Sequence, residues 1–158
     1  MSEVERIVDQ LKRAFEGEAW HGPSVLEVIE GITPRQAVAR PLPGAHSIWE
    51  LVLHIAVWEG AILRRLSGDQ AQLSTAEDWP PISATDDDAW ERTRNMLKQG
   101  HLELRSAIAS LGDGRLDQPI IEGMSSVYVQ LHGVIQHDLY HAGQIALLKK
   151  AISEGSDG

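Results

Sequence analysis

Cysteine is absent from this 158-residue sequence. That excludes disulfides, restricts any metal to nitrogen and oxygen ligands, and means that sulfur chemistry would need a thiol from outside. Positive charge is scarce too: 14 Lys and Arg stand against 23 Asp and Glu, for a formal net charge of −9. No basic stripe exists to displace the counterions of a nucleic acid, so no nucleic-acid partner is expected. No apolar run approaches the roughly 18 residues of a membrane span, and no membrane partner is expected. The start, Met1-Ser2-Glu3-Val4-Glu5, lacks the basic and apolar regions of a secretory signal, so the expected location is cytoplasmic. Convincing strand patterns are missing as well, which leaves an all-α chain.

What is present is helical periodicity. Val4, Ile7, Val8, Leu11 and Phe15 predict a first helix from about Ser2 to Phe15. Gly17 and Gly22-Pro23 punctuate it. A short helix from Pro23 to about Glu30 follows, and Thr33-Pro34-Arg35-Gln36 resembles a capped turn with proline at its first position. Ser47-Ile48-Trp49-Glu50 is a capping box opening a second long helix that runs to about Leu66. A loop containing Pro80-Pro81 is expected from Ser67 to Ala84. The third long helix is expected to open at Thr85 and end near Gly112, with Asp86, Asp87 and Asp88 in its first turn, where negative charge favours the helix dipole. A fourth opens at Ser125 or Ser126 and runs to Ala151, followed by a frayed tail. The expected architecture is one domain over 1–158, an all-α four-helix bundle with one or two short extra helices.

The fourth helix carries His137 and His141, which at i and i+4 share a face and can reach one ion. Spacing alone decides little, because 7 histidines in 158 residues give about 0.3 such pairs by chance. Position says more. Stepping about 100° per residue, Val127, Leu131, Ile135, Asp138, Ala142, Ile145 and Ala146 fall on a broad apolar arc. Gln130, His137, His141 and Gln144 form a polar stripe along one edge of it. Such a stripe fits a wet cavity inside a bundle; it fits equally a core histidine pair satisfied by backbone or water.

His54 is the best third ligand. It shares the inward face of the second helix with Ser47, Glu50, Leu51, Trp58, Ala61 and Ile62, and a buried imidazole needs partners. Three histidines are the protein ligand count of an open catalytic zinc site. His101 lies on the apolar seam of the third helix and reads better as a core histidine. A carboxylate-bridged di-metal site needs Glu-x-x-His on two helices, and only Glu18-Ala19-Trp20-His21 qualifies, interrupted by Gly22-Pro23. Asp138, Glu50 and Gln144 are the candidates to orient the ligands. Asp138, a carboxylate within the core arc, could instead pair with Arg64, Arg65 or Arg94. His21, Trp20, Trp58 and Tyr140 are candidates to line a substrate pocket, or are simply packing residues.

Two segments, Ser47-Ile48-Trp49-Glu50-Leu51-Val52-Leu53-His54-Ile55 and His137-Asp138-Leu139-Tyr140-His141-Ala142-Gly143-Gln144-Ile145, resemble the signature segments of the DinB-like (YfiT-like) metalloenzyme family. The similarity extends over nearly the whole chain, including Ala19-Trp20-His21-Gly22-Pro23-Ser24. The resemblance implies a four-helix bundle, often dimeric, whose three histidines bind a divalent metal, commonly nickel or zinc. The carry-over falls on His54, His137 and His141. It does not fix a reaction: relatives include bacillithiol S-transferases and mycothiol-dependent isomerases, and many members have no known activity.

Two functions are therefore expected. One is a metal-dependent enzyme (Zn, Ni or Fe) transferring an external low-molecular-weight thiol to an electrophile, or hydrolysing a small substrate. The alternative is a non-catalytic metal-binding or stress-related dimeric helical bundle. Val129, Tyr140 and Leu147 lie off the core arc of the fourth helix, with Gly133 and Gly143 nearby, so a homodimer is expected under either.

Overall fold

The chain folds as helices in a computed structural model, which describes residues 1–154. In order they are α1 (Glu3–Glu16), α2 (Val25–Ile29), α3 (Pro34–Val38), α4 (Ile48–Leu66), α5 (Thr75–Asp78), α6 (Asp87–Ala109) and α7 (Val127–Glu154), with a 3₁₀ turn at Asp113–Arg115. Among the described residues no strand forms; Pro119 and Ser126 make one isolated antiparallel bridge. No helix is long and apolar enough to cross a membrane.

Caps set where the helices begin. Ser47 Oγ accepts the Glu50 N–H at 3.3 Å, and the Glu50 carboxylate accepts the Ser47 N–H at 2.7 Å. A cap of this kind contributes about 1 kcal/mol. The short helices number three rather than one or two. The addition is α5, inside the expected loop, where Ser74 and Glu77 form a further capping box. The N-cap of α6 is Asp86, not Thr85; its carboxylate accepts the Ala89 N–H at 2.8 Å. Helix α7 continues past Ala151 to Glu154, and the rest of the tail lies outside the described residues.

Helices α1 and α4 each pack against both α6 and α7, while α2 lies against α7 and α5 against α4. Apolar side chains fill the interior in two clusters. One gathers Phe15, Val52, Ile55, Leu97 and Ile145; the other gathers Leu11, Ile62, Leu104, Leu131 and Ile135. A fully buried Leu or Ile stabilises by about 1.5–3 kcal/mol. Between the clusters, one turn from each, sit Glu59 on α4, His101 on α6 and Asp138 on α7, all buried. A polar layer thus divides the core.

Candidate metal centre

His54 projects from the middle of α4, and His137 and His141 from successive turns of α7. His137 Nε2 lies 3.0 Å from His54 Nε2 and 3.1 Å from His141 Nε2. Among the described residues this is the one group of three or more His, Cys, Asp or Glu whose ligand atoms gather closely enough for a single ion.

The outer ring nitrogens fix what the inner ones offer. His54 Nδ1 lies 2.8 Å from the Asp78 carbonyl oxygen, and His141 Nδ1 lies 2.6 Å from Gln144 Oε1. Both partners are acceptors, so each Nδ1 carries the proton and each Nε2 turns a lone pair inward. His137 differs: its Nδ1 is buried with no hydrogen-bond partner, and the nearest carboxylate oxygen, on Asp138, is 3.9 Å away. Two inward lone pairs and a third ring between them suit a divalent cation, which the nitrogen-only donor set would bind as neutral imidazoles.

Electrostatics favour that neutral state. Burial, reinforced by the neighbouring His141 and His54, pushes His137 down to about 3. Burial also lowers His141, against the opposing hydrogen bond to Gln144.

The loop after α4 completes one wall. Pro80 cannot continue α5, so the Asp78 carbonyl, freed at the helix end, is available to His54. The Asp78 carboxylate accepts the Trp58 indole N–H at 2.7 Å and lies 3.1 Å from His54 Nδ1. Trp79 stacks flat between two imidazoles, 3.9 Å from the His54 ring and 3.5 Å from that of His46. Beyond His137 a cavity of about 450 Å³ opens, lined by Trp58, Ile62, Arg65, Gln130, Val134 and His137.

A family model described as the DinB superfamily matches residues 19–145. The chain belongs to the DinB superfamily. Members of the superfamily are often metal-binding. Searches of curated proteins and of solved structures find no match.

In this DinB-superfamily chain the residues singled out from sequence are dispersed. Gln144 touches His141, and Trp58 lines the cavity. Glu50 is committed to Ser47 and to Arg40, 2.5 Å away. Tyr140 meets His141 edge-on, its ring centre 5.1 Å away, yet remains 65% exposed. Trp20 is fully exposed, and His21 is exposed beside it.

Asp138 pairs with no arginine: Arg64 is bonded to Asp69, Arg94 to Glu91, and Arg65 to Gln130. Its partner is Glu59. Both carboxyls are buried, and neither Asp138 oxygen meets an N–H or hydroxyl donor. Burial, with no donor in reach of Asp138, favours the protonated form of both carboxyls. Burial pushes Glu59 up to about 8, and burial together with the Glu59 charge pushes Asp138 well above the usual carboxylate range. On the far side, Glu59 Oε1 lies 2.7 Å from His101 Nδ1, and His101 stacks on Phe15 with ring centres 3.7 Å apart. Burial holds His101 down to about 3, so the Glu59–His101 contact is a neutral hydrogen bond.

Sequence reading passed over Asp78, Trp79 and Glu59. For Glu59 a signal existed: it stands four residues after Ile55 and seven after Val52, both fully buried. For Asp78 the signal was the Ser74–Glu77 capping box cut short by proline.

Proposed function

We propose that this chain is a metal-dependent enzyme of the cytoplasm acting on a small molecule, built as one DinB-type four-helix-bundle domain over 1–158. His54, His137 and His141 are its metal ligands. The observation that carries the reading is the convergence of three Nε2 atoms, at 3.0 and 3.1 Å, on the edge of a 450 Å³ cavity. A bound divalent ion would supply Lewis acidity, lowering the pKa of a water or thiol that reaches it toward neutrality. Asp78 and Gln144 hold the outer protons of two rings and so aim them. Trp79 shields His54 from water, and His137 forms the boundary between the ligand set and the cavity. With no cysteine in the chain, any thiol that the ion activates comes from outside, as a low-molecular-weight thiol; water is the other nucleophile it would activate. Nitrogen ligands accept zinc, nickel and iron alike.

Elemental analysis of the purified protein beside His54→Ala is the test. About one equivalent of metal in the wild type, absent from the variant, is expected. Equal metal content in the two overturns the assignment.

The cover of Asp78 and Trp79 over His54 favours a second reading, an ion that only ties α4 to α7. Adding 2-mercaptoethanol to cobalt-loaded protein separates the two: a changed visible spectrum marks a position open to a substrate, and an unchanged one supports the tie. Under either reading the protein is proposed to be a homodimer. Val129, Tyr140 and Leu147 are 53%, 65% and 59% exposed on one face of α7. Sedimentation of Leu147→Glu beside the wild type checks this, the variant being expected to run as a monomer.

A further inference from the structure

The cavity beside His137 has a charged far end that the metal-site reading leaves unused. Arg65, half-buried near the end of α4, donates from Nη1 to Gln130 Oε1 at 3.0 Å and from Nη2 to the Ala71 carbonyl at 3.2 Å. Its Nε donates to the Gln70 carbonyl at 3.4 Å. All three partners are neutral. Most arginines that border the inner helices of this acidic chain have a carboxylate: Arg64 has Asp69, Arg94 has Glu91 and Arg105 has Glu16. Among the described residues Arg65 has none, and each terminal nitrogen keeps a further N–H. Its pKa is drawn down by burial alone, as expected of a cation stripped of part of its water without a counter-charge.

The surroundings describe what would fit. The Arg65 Cζ stands 5.6 Å from the centre of the Trp58 ring, and that ring's centre lies 5.9 Å from the His137 ring. Trp58 is therefore midway between the cation and the metal ligands, with Ile62 and Val134 making the wall around it apolar. Gln130 precedes His137 by seven residues on α7, two helical turns or about 10 Å.

We infer that Arg65, held by Gln130, is the anion-binding end of the cavity, and that the cavity takes a ligand with a carboxylate at one end and an apolar stem of about six carbons reaching toward His137. The planar guanidinium fork, already oriented by three bonds, matches a carboxylate, and the low polarity of the wall strengthens that pairing. The inference deepens the metal-site reading and rests on it only for what the ligand meets at the His137 end.

Calorimetry on zinc-loaded full-length protein tests this with two probes of equal length, 6-mercaptohexanoate and 6-mercaptohexanol. The carboxylate is expected to bind about tenfold or more tightly, the usual contribution of a charge-assisted bond. Arg65→Gln removes the cation. Gln130→Glu keeps it, leaves the loop bonds intact and supplies an internal carboxylate in the ligand's place. Both variants are expected to bring the ratio to about one with zinc content unchanged. A ratio near one in the wild type, or a tenfold ratio surviving in Gln130→Glu, overturns the inference. If no zinc binds, the metal-site reading has failed, and hexanoate against hexanamide on the metal-free protein, followed by NMR at the Trp58 indole N–H, still decides the matter. A hexanoate preference lost in Gln130→Glu supports the anion site; equal binding overturns it.

Discussion

Helices α4 and α7 build two polar groupings within a turn or two of each other, and the two have opposite characters. His54, His137 and His141 meet beside a cavity that His137 lines, and His54 and His141 have their outer nitrogens satisfied so that inner lone pairs converge. Glu59, His101 and Asp138 lie between two apolar clusters, each 1% exposed or less, where burial favours their neutral forms. His137 and Asp138 are consecutive, so about 100° of helical rotation sends one side chain to the cavity and the other to the dry layer. The difference shows how burial divides ionisable groups into two uses. Beside a cavity and with oriented partners they are ready to meet a cation. In a sealed layer the same chemistry is neutralised, and its role is to fix which faces of three helices meet.

The comparison breaks most sharply at His137. His137→Ala should weaken metal binding about 100- to 1,000-fold, each ligand carrying a share of the roughly 10–16 kcal/mol of a tight zinc site. Circular dichroism should show helicity largely retained. His101→Ala should do the reverse, destabilising by about 2–3 kcal/mol through a cavity against Phe15 and a lost bond to Glu59. Its metal content should match the wild type; a variant as stable as the wild type would show that the layer is not holding the helices.

Acidity separates the groupings next. In metal-free protein Glu59 holds its proton up to about pH 8 when folded, but only to about 4.3 when unfolded. The folded state therefore binds the extra proton in between, and stability falls as pH rises through that range. His101 works oppositely: unfolded it takes a proton near 6.5, folded only near 3, so stability falls as pH drops below about 6.5. Each slope is about 1.4 kcal/mol per pH unit. The half-buried His137 adds to the acid side of this balance and Asp138 to the alkaline side; above about pH 6.5 only the carboxyls remain, and denaturant titrations should show about 2 kcal/mol or more lost from there to pH 8. Glu59→Gln should flatten the alkaline limb; a decline of unchanged slope would place the extra proton elsewhere. The smallest effect is expected from Gln144→Ala, which frees the outer nitrogen of His141. Metal affinity should drop about tenfold by competition titration, with thermal stability nearly unchanged.

Much of this was legible in the chain. The Ser47–Glu50 box places the start of α4, and rotation along α7 separates the core-facing Leu131, Ile135, Asp138 and Ala142 from the polar stripe of His137, His141 and Gln144, of which His141 is itself buried. Those features depend on neighbours within one helix. What stayed hidden depends on distant chain segments meeting. Nothing local says that the carbonyl of Asp78 returns to a histidine 24 residues earlier, or that Trp79 lies flat on it. Asp138 was visible as a carboxylate in the core arc, but a search for its partner among arginines could not succeed, because the partner is a second acid. Patterning reads charge as a request for opposite charge; two buried carboxyls that keep their protons answer it differently.

Trp79 has an optical consequence. Its indole lies parallel to the His54 imidazole within 5°, at stacking distance. Anything that changes the electron density of that imidazole is therefore felt by the nearest chromophore in the chain. Against a variant carrying Trp79→Phe, the emission of this one side chain becomes a built-in gauge of what His54 holds, readable in solution without a label.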